Sequence, residues 1–154
     1  MYDIKNHLAD FSASKWTEYK AALASDVVYE EVASRVRVKG ADEYMKAIER
    51  WKRAFPDLKA TVLSSYIAGD KVFAEIEWAG TQTGPLDGPF GPIPPTNKRG
   101  VVRAAIVATV KNDKLVEAHH YFDVLTLLTN LGIAPFAGAP AQATKPGAAP
   151  TPRH

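Results

Sequence analysis

The 154 residues are 46% hydrophobic and carry 19 basic against 17 acidic side chains, a formal charge of +2. That is enough apolar material for the core of one domain, and charges mixed this evenly form no basic stripe, so nucleic acid is not an expected partner. With no cysteine, disulfides, thiolate nucleophiles, zinc–thiolate sites and iron–sulfur clusters are excluded together.

Ile4, Leu8 and Phe11 fall at helical spacing, as do Trp16, Tyr19 and Leu23, which predicts one long or two short helices before about Ser25. Met1-Tyr2-Asp3-Ile4-Lys5 has no charged-then-apolar leader, and no window reaches the length of a membrane span. A soluble, cytoplasmic protein without a membrane partner is therefore expected. Val27-Val28-Tyr29 reads as a short strand, and Arg35-Val36-Arg37-Val38 alternates like an edge strand. Gly40-Ala41-Asp42 opens the clearest helix, in which Tyr44, Ile48, Trp51 and Phe55 form one aromatic stripe. Pro56 ends it, because the residue before a proline is pushed out of the helical region.

From Leu58 the period changes to two. Leu58 to Ile67 is a strand, Gly69-Asp70 a hairpin turn, and Val72 to Thr83 the next strand. A loop from Gly84 to about Asn97 holds Pro85, Pro89, Pro92, Pro94 and Pro95, and reads as either a stiff connection or a lid. Arg99 to Lys111 is a third strand, and Asn112-Asp113 turns it into Lys114 to Asp123. A short helix over Val124–Asn130 follows, with Gly132 placed to cap its C-terminus. The stretch from about Ala137 to His154 is nearly all Ala, Pro, Gly, Gln and Thr and is expected to be a flexible tail, leaving residues 1–136 as the folded domain. Helices first and then a long meander is an α+β plan. We expect a cone-shaped, curved antiparallel sheet wrapped around the N-terminal helices, with a pocket at the open end.

Within this plan His119, Tyr121 and Asp123 share one face of the last strand. If that face is concave and apolar, Asp123 is poorly solvated, its pKa is raised, and it can act as a general acid or base beside His119. The competing reading makes Asp123 the N-cap of the following helix. Tyr121 offers a hydroxyl to a substrate oxygen or a core hydrogen bond, and His120 points the other way, as a structural residue. Glu75 and Arg103, mid-strand, lie on a solvated face or pair in the cavity to read a polar group. Trp51 and Trp78 are core or interface residues, or stacking surfaces for a planar ligand. Adjacent histidines on a strand diverge, so no metal site is expected, and no phosphate-binding loop is present.

Four local sequences, in this order, carry a resemblance. They are Phe55-Pro56-Asp57, Gly80-Thr81-Gln82-Thr83-Gly84, Pro94-Pro95-Thr96-Asn97-Lys98, and Tyr121-Phe122-Asp123 continuing through Leu128-Thr129-Asn130-Leu131-Gly132. Together they span about Val27 to Pro135. The chain resembles the SnoaL-like polyketide cyclases, also called ester cyclases, which share the fold of ketosteroid isomerase, scytalone dehydratase and nuclear transport factor 2. The resemblance implies a cofactor-independent enzyme that closes a ring in a hydrophobic, carbonyl-bearing molecule by an intramolecular aldol step, with Asp123 at the position of the family's acid/base. Relatives commonly have Arg where Glu75 stands and His where Gln82 stands, so both residues are candidate substrate contacts. An isomerase or dehydratase using the same cone is a close second reading, and a non-catalytic ligand-binding or dimerisation module is the rival. A homodimer through the outer sheet face is expected from the family and from apolar residues on both faces of Arg99 to Lys111.

Overall fold

The computed structural model describes residues 1–88 and 91–133. The expected tail from 137 onward, and Pro89 in the loop, lie outside them.

Two short helices, α1 (Ile4–Ser12) and α2 (Trp16–Ala21), begin the chain. Asp3 caps α1 by accepting the backbone N–H of Lys5, and the helix buries Ile4, His7, Leu8 and Phe11 on one side. Leu23 does not continue the second helix as its spacing suggested; it opens β1 (Leu23–Glu31), which pairs with the edge strand β2 (Val36–Lys39). The aromatic stripe lies on α3 (Ala41–Ala54), and the chain leaves the helical region at Phe55, before Pro56.

The remaining strands are β3 (Lys59–Ala68), β4 (Lys71–Thr81), β5 (Leu86–Gly88), β6 (Gly91–Ile93), β7 (Arg99–Lys111) and β8 (Lys114–Phe122). Six of them form one sheet in the order β2-β1-β8-β7-β4-β3, and β5 and β6 form a small separate ribbon within the proline-rich loop. Every pairing in the large sheet is antiparallel except β1 with β8, which run parallel. Register shifts in β1·β8, β3·β4 and β7·β8 put bulges where the strands bend, so the sheet curls over the helices. Asn112 and Asp113 both take positive φ in the β7–β8 turn, as a tight hairpin twisted like its strands requires.

The last helix, α4 (Val124–Asn130), closes with Gly132 at φ 72. There Gly132 N–H donates to Thr129 O and Ile133 N–H to Leu128 O, the paired bonds of a Schellman cap. One continuous core joins α1, α3 and the concave sheet face, from Leu8 and Phe11 through Ile48 and Phe55 to Ile76, Ala118 and Leu127. The expected α+β cone is the observed fold. No helix of the described residues is long and apolar enough to cross a membrane.

Candidate functional site: an aromatic hollow with a buried histidine

The sheet register decides which side chains enter the cone. Ala74, Ile106, His120 and Glu31 are successive partners across β4, β7, β8 and β1, and Val72, Ala108, Ala118 and Tyr29 form the next row. Both rows face the helices and are largely buried. The alternate rows, Phe73–Val107–His119–Glu30–Arg37 and Glu75–Ala105–Tyr121, face outward.

One residue of phase therefore reverses the sequence expectation for β8. His120 points into the cone. His119 and Tyr121 lie on the outer face, where Tyr121 is 46% exposed and His119 sits between Glu117 (2.5 Å) and Glu30 (3.6 Å). Asp123 is the N-cap of α4: its Oδ1 accepts the Thr126 N–H at 2.9 Å and its Oδ2 accepts the Thr126 hydroxyl at 2.6 Å. The carboxylate is exposed, and the Thr126 hydroxyl, followed by its backbone N–H, holds the pKa below the usual carboxylate value rather than above it. The expectation of a desolvated Asp123 beside His119 is not met.

Glu75 and Arg103 also lie on the outer face, where Arg103 joins Glu75 at 2.9 Å and Glu77 at 3.4 Å, all solvated. Gln82 is fully buried but does not reach the hollow. Its Nε2 donates to the carbonyls of Gly84, Ile93 and Pro94, and its Oε1 accepts from Thr96, so it staples the proline-rich loop. Of the residues expected to contact substrate, only Trp51 and Trp78 line the cavity.

That cavity offers about 70 Å³ to the centre of a water-sized sphere. Trp51, Trp78, Phe55 and Phe122 form its walls with Tyr19, Tyr29, Tyr44 and His120, under Leu127 of α4. Gly100 shapes this upper edge: a Cβ there would come within 3.1 Å of Leu127 and 3.7 Å of Phe55.

Four polar side chains of the hollow, Tyr29, Trp51, Trp78 and His120, are tied into one network with Glu31. Glu31, fully buried, accepts from Arg50 (2.5 Å), Ser34 (2.5 Å), Trp51 Nε1 (2.7 Å) and the Tyr29 hydroxyl (3.1 Å). The Tyr29 oxygen lies 3.3 Å from His120 Nδ1, and Trp78 Nε1–H donates to His120 Nε2 at 3.1 Å. An indole N–H can only donate, so Nε2 is the acceptor nitrogen and the proton of the neutral ring sits on Nδ1. The direction of the chain is thereby set: Trp78 to His120, His120 to Tyr29, Tyr29 to Glu31. Burial pushes the His120 pKa down to about 4, and the Glu31 carboxylate pulls weakly the other way. His120 is a neutral base at physiological pH, with a carboxylate one hydroxyl away to stabilise the protonated ring.

The sequence reading missed His120, Glu31 and Tyr29. A local signal existed for two of them. Val27, Tyr29 and Glu31 alternate with Val28 and Glu30, so whichever face buries Val27 also buries Glu31.

The family profile of SnoaL-like polyketide cyclases matches residues 3–131. The chain belongs to that family. Solved structures with the same fold include TsrD from Streptomyces laurentii, 24% identical with a TM-score of 0.72 over 84% of this chain and 92% of that one. A protein of ketosteroid isomerase-like fold from Catenulispora acidiphila DSM 44928, solved with trimethylamine, is 17% identical (TM-score 0.70; 85% and 92% covered). An LEH-like epoxide hydrolase from M. tuberculosis is 20% identical (TM-score 0.64; 83% and 85% covered). No curated protein sequence matches the chain. In this chain the acidic residue at the β8–α4 junction serves the backbone, and the imidazole that lines the hollow belongs to the histidine three positions earlier.

Proposed function

We propose that this protein is a cofactor-independent acid–base enzyme acting on a compact, uncharged, carbonyl-bearing hydrophobic molecule, with His120 as the proton-handling residue. One observation carries this reading: a neutral imidazole in the wall of an aromatic hollow, backed by Tyr29 and the Glu31 carboxylate. Among the described residues no charged side chain lines the hollow, which favours a neutral ligand.

The chemistry that fits is proton removal beside a carbonyl. His120 Nε2 takes a proton from the α-carbon, the C–H electron pair becomes a C=C bond, and the carbonyl π pair moves onto oxygen. In a ring closure the enolate carbon then attacks a second carbonyl of the same molecule, and His120 returns its proton to the new alkoxide. Substrate and product are isomers, so no co-reactant is needed. Isomerisation of an unsaturated ketone uses the same first step.

A non-catalytic binder is the second reading, favoured by the engagement of both His120 nitrogens and by the exposed, capping Asp123. The outer face, with Tyr66, Phe73, Val101 and Tyr121 exposed, is the proposed homodimer surface; a monomeric mass in light scattering would argue against it. Hydrogen–deuterium exchange at the methyl group of acetophenone, followed by proton NMR in D₂O, tests the catalytic reading. Exchange above background that is lost in His120→Gln and kept in Asp123→Asn supports it. Equal exchange with wild type, with His120→Gln and without protein supports the binder.

A further inference from the structure

We infer that Trp78 is a catalytic hydrogen-bond donor whose indole N–H, held at rest on His120 Nε2, swings to the oxygen of the ligand and uncovers the base. This rests on the acid–base reading of the hollow.

The other described donors that line the hollow are engaged elsewhere or are not bonded to His120. Trp51 N–H is committed to the buried Glu31 carboxylate at 2.7 Å, and the Tyr29 hydroxyl donates to the same group. The hydroxyls of Tyr19 and Tyr44 lie 3.2 Å apart, so one O–H is spent within that pair, and neither hydroxyl is bonded to His120, the base. The Trp78–His120 contact differs in joining a donor and an acceptor that both line the hollow and have no second partner among the described residues. Breaking it empty would leave the buried His120 nitrogen and the half-buried Trp78 N–H without a partner, so at rest it stays closed.

A ligand that presents an oxygen acceptor beside a proton to give restores both partners at once. A ketone with an α-hydrogen qualifies: its oxygen takes the Trp78 N–H while its α-proton passes to Nε2. Its enol form qualifies through the O–H. Negative charge then develops on oxygen against an N–H already inside the apolar cavity, where such a bond is worth most. A hydrocarbon of the same shape has nothing to exchange and leaves the pair closed.

Phenol, a stable enol, and toluene, its hydrocarbon counterpart, are the probes. Both are titrated into ¹⁵N-labelled protein, observing the indole N–H signals and the histidine ring nitrogens. Phenol is expected to move the Trp78 N–H and the His120 Nε2 resonances, whereas toluene moves other lining residues and leaves that pair in place. In Trp78→Phe the ratio of phenol to toluene affinity is expected to fall about fivefold, the scale of one neutral hydrogen bond. A Trp78 N–H unmoved at saturating phenol, or an unchanged ratio in the variant, overturns the proposal and leaves the hollow a binding site. If neither probe shifts any lining residue, the pocket reading and this one fail together. The wild-type spectra are decisive even if the variant fails to fold.

Discussion

Glu31→Gln isolates the contribution of the buried carboxylate. Gln is nearly isosteric, so no cavity is created, but the negative charge is removed and one acceptor oxygen becomes an NH₂ group. Four donors converge on Glu31, and two of them, the Tyr29 hydroxyl and Trp51 Nε1, share Oε1 while Ser34 and Arg50 share Oε2. Whichever way the amide turns, its NH₂ faces one obligate N–H donor, Trp51 or Arg50, and one hydroxyl, Tyr29 or Ser34, that must turn from donor to acceptor. The Arg50 guanidinium also loses its counter-charge, and its side chain is only 19% exposed. Removing one partner of a buried ion pair costs about 3–5 kcal/mol, and the partial solvation of Arg50 places this case near 3 kcal/mol. With a urea slope of about 2 kcal/mol/M for a domain of this size, the unfolding midpoint should fall by roughly 1.5 M at unchanged slope. Replacing both residues together, Glu31→Met with Arg50→Met, removes both charges and should recover much of the loss. A Glu31→Gln midpoint within about 0.3 M of wild type would refute the claim that the Glu31 carboxylate is shielded from water.

Asp123→Ala removes an N-cap and should lower stability by about 1 kcal/mol, read from the same urea curve, while phenol binding in the hollow stays unchanged. A Cβ at Gly84 would lie 2.1 Å from the carbonyl oxygen of Arg53. Gly84→Ala must therefore displace backbone, and a loss of about 2 kcal/mol or more is expected by thermal melting. Acid should unfold the domain through its buried imidazoles. Burial pushes His7 down to about 3 and His120 down to about 4, below the unfolded value near 6.5. The neutral rings contribute full stability above pH 6.5; as pH falls below it the unfolded chain takes up protons the folded one refuses, and stability drops until the folded values are reached. The loss from His120 alone is about 3 kcal/mol between pH 7 and pH 4, and urea midpoints across that range should be shallower in His120→Gln.

Much of this architecture is legible in the sequence because its signals are local. Tyr44, Ile48, Trp51 and Phe55 keep one period over a whole helix, Pro56 stops it, and Asn112-Asp113 permits the positive φ values of a hairpin. The candidate site is less legible because the facing of β8 is not a local property. His119, His120 and Tyr121 are all polar, so the strand shows no alternation there, and a bulge opposite Val110 shifts the phase between Leu115 and Glu117. Pairing with β7, which sets Ile106 against His120, decides the matter. The Glu31 network is also invisible locally, because Arg50 and Trp51 reach it from α3. Asp123 was readable both ways; the Thr126 hydroxyl and N–H settle it as a cap.

The most direct measurement is a pH titration of the His120 ring nitrogens by long-range ¹H–¹⁵N spectroscopy from pH 8 to pH 3. A neutral ring protonated at Nδ1 down to about pH 5, charging only near pH 4, is the predicted result. A midpoint near 6.5, or a proton on Nε2, would place His120 in solvent or outside the Trp78–Tyr29–Glu31 chain and contradict the account.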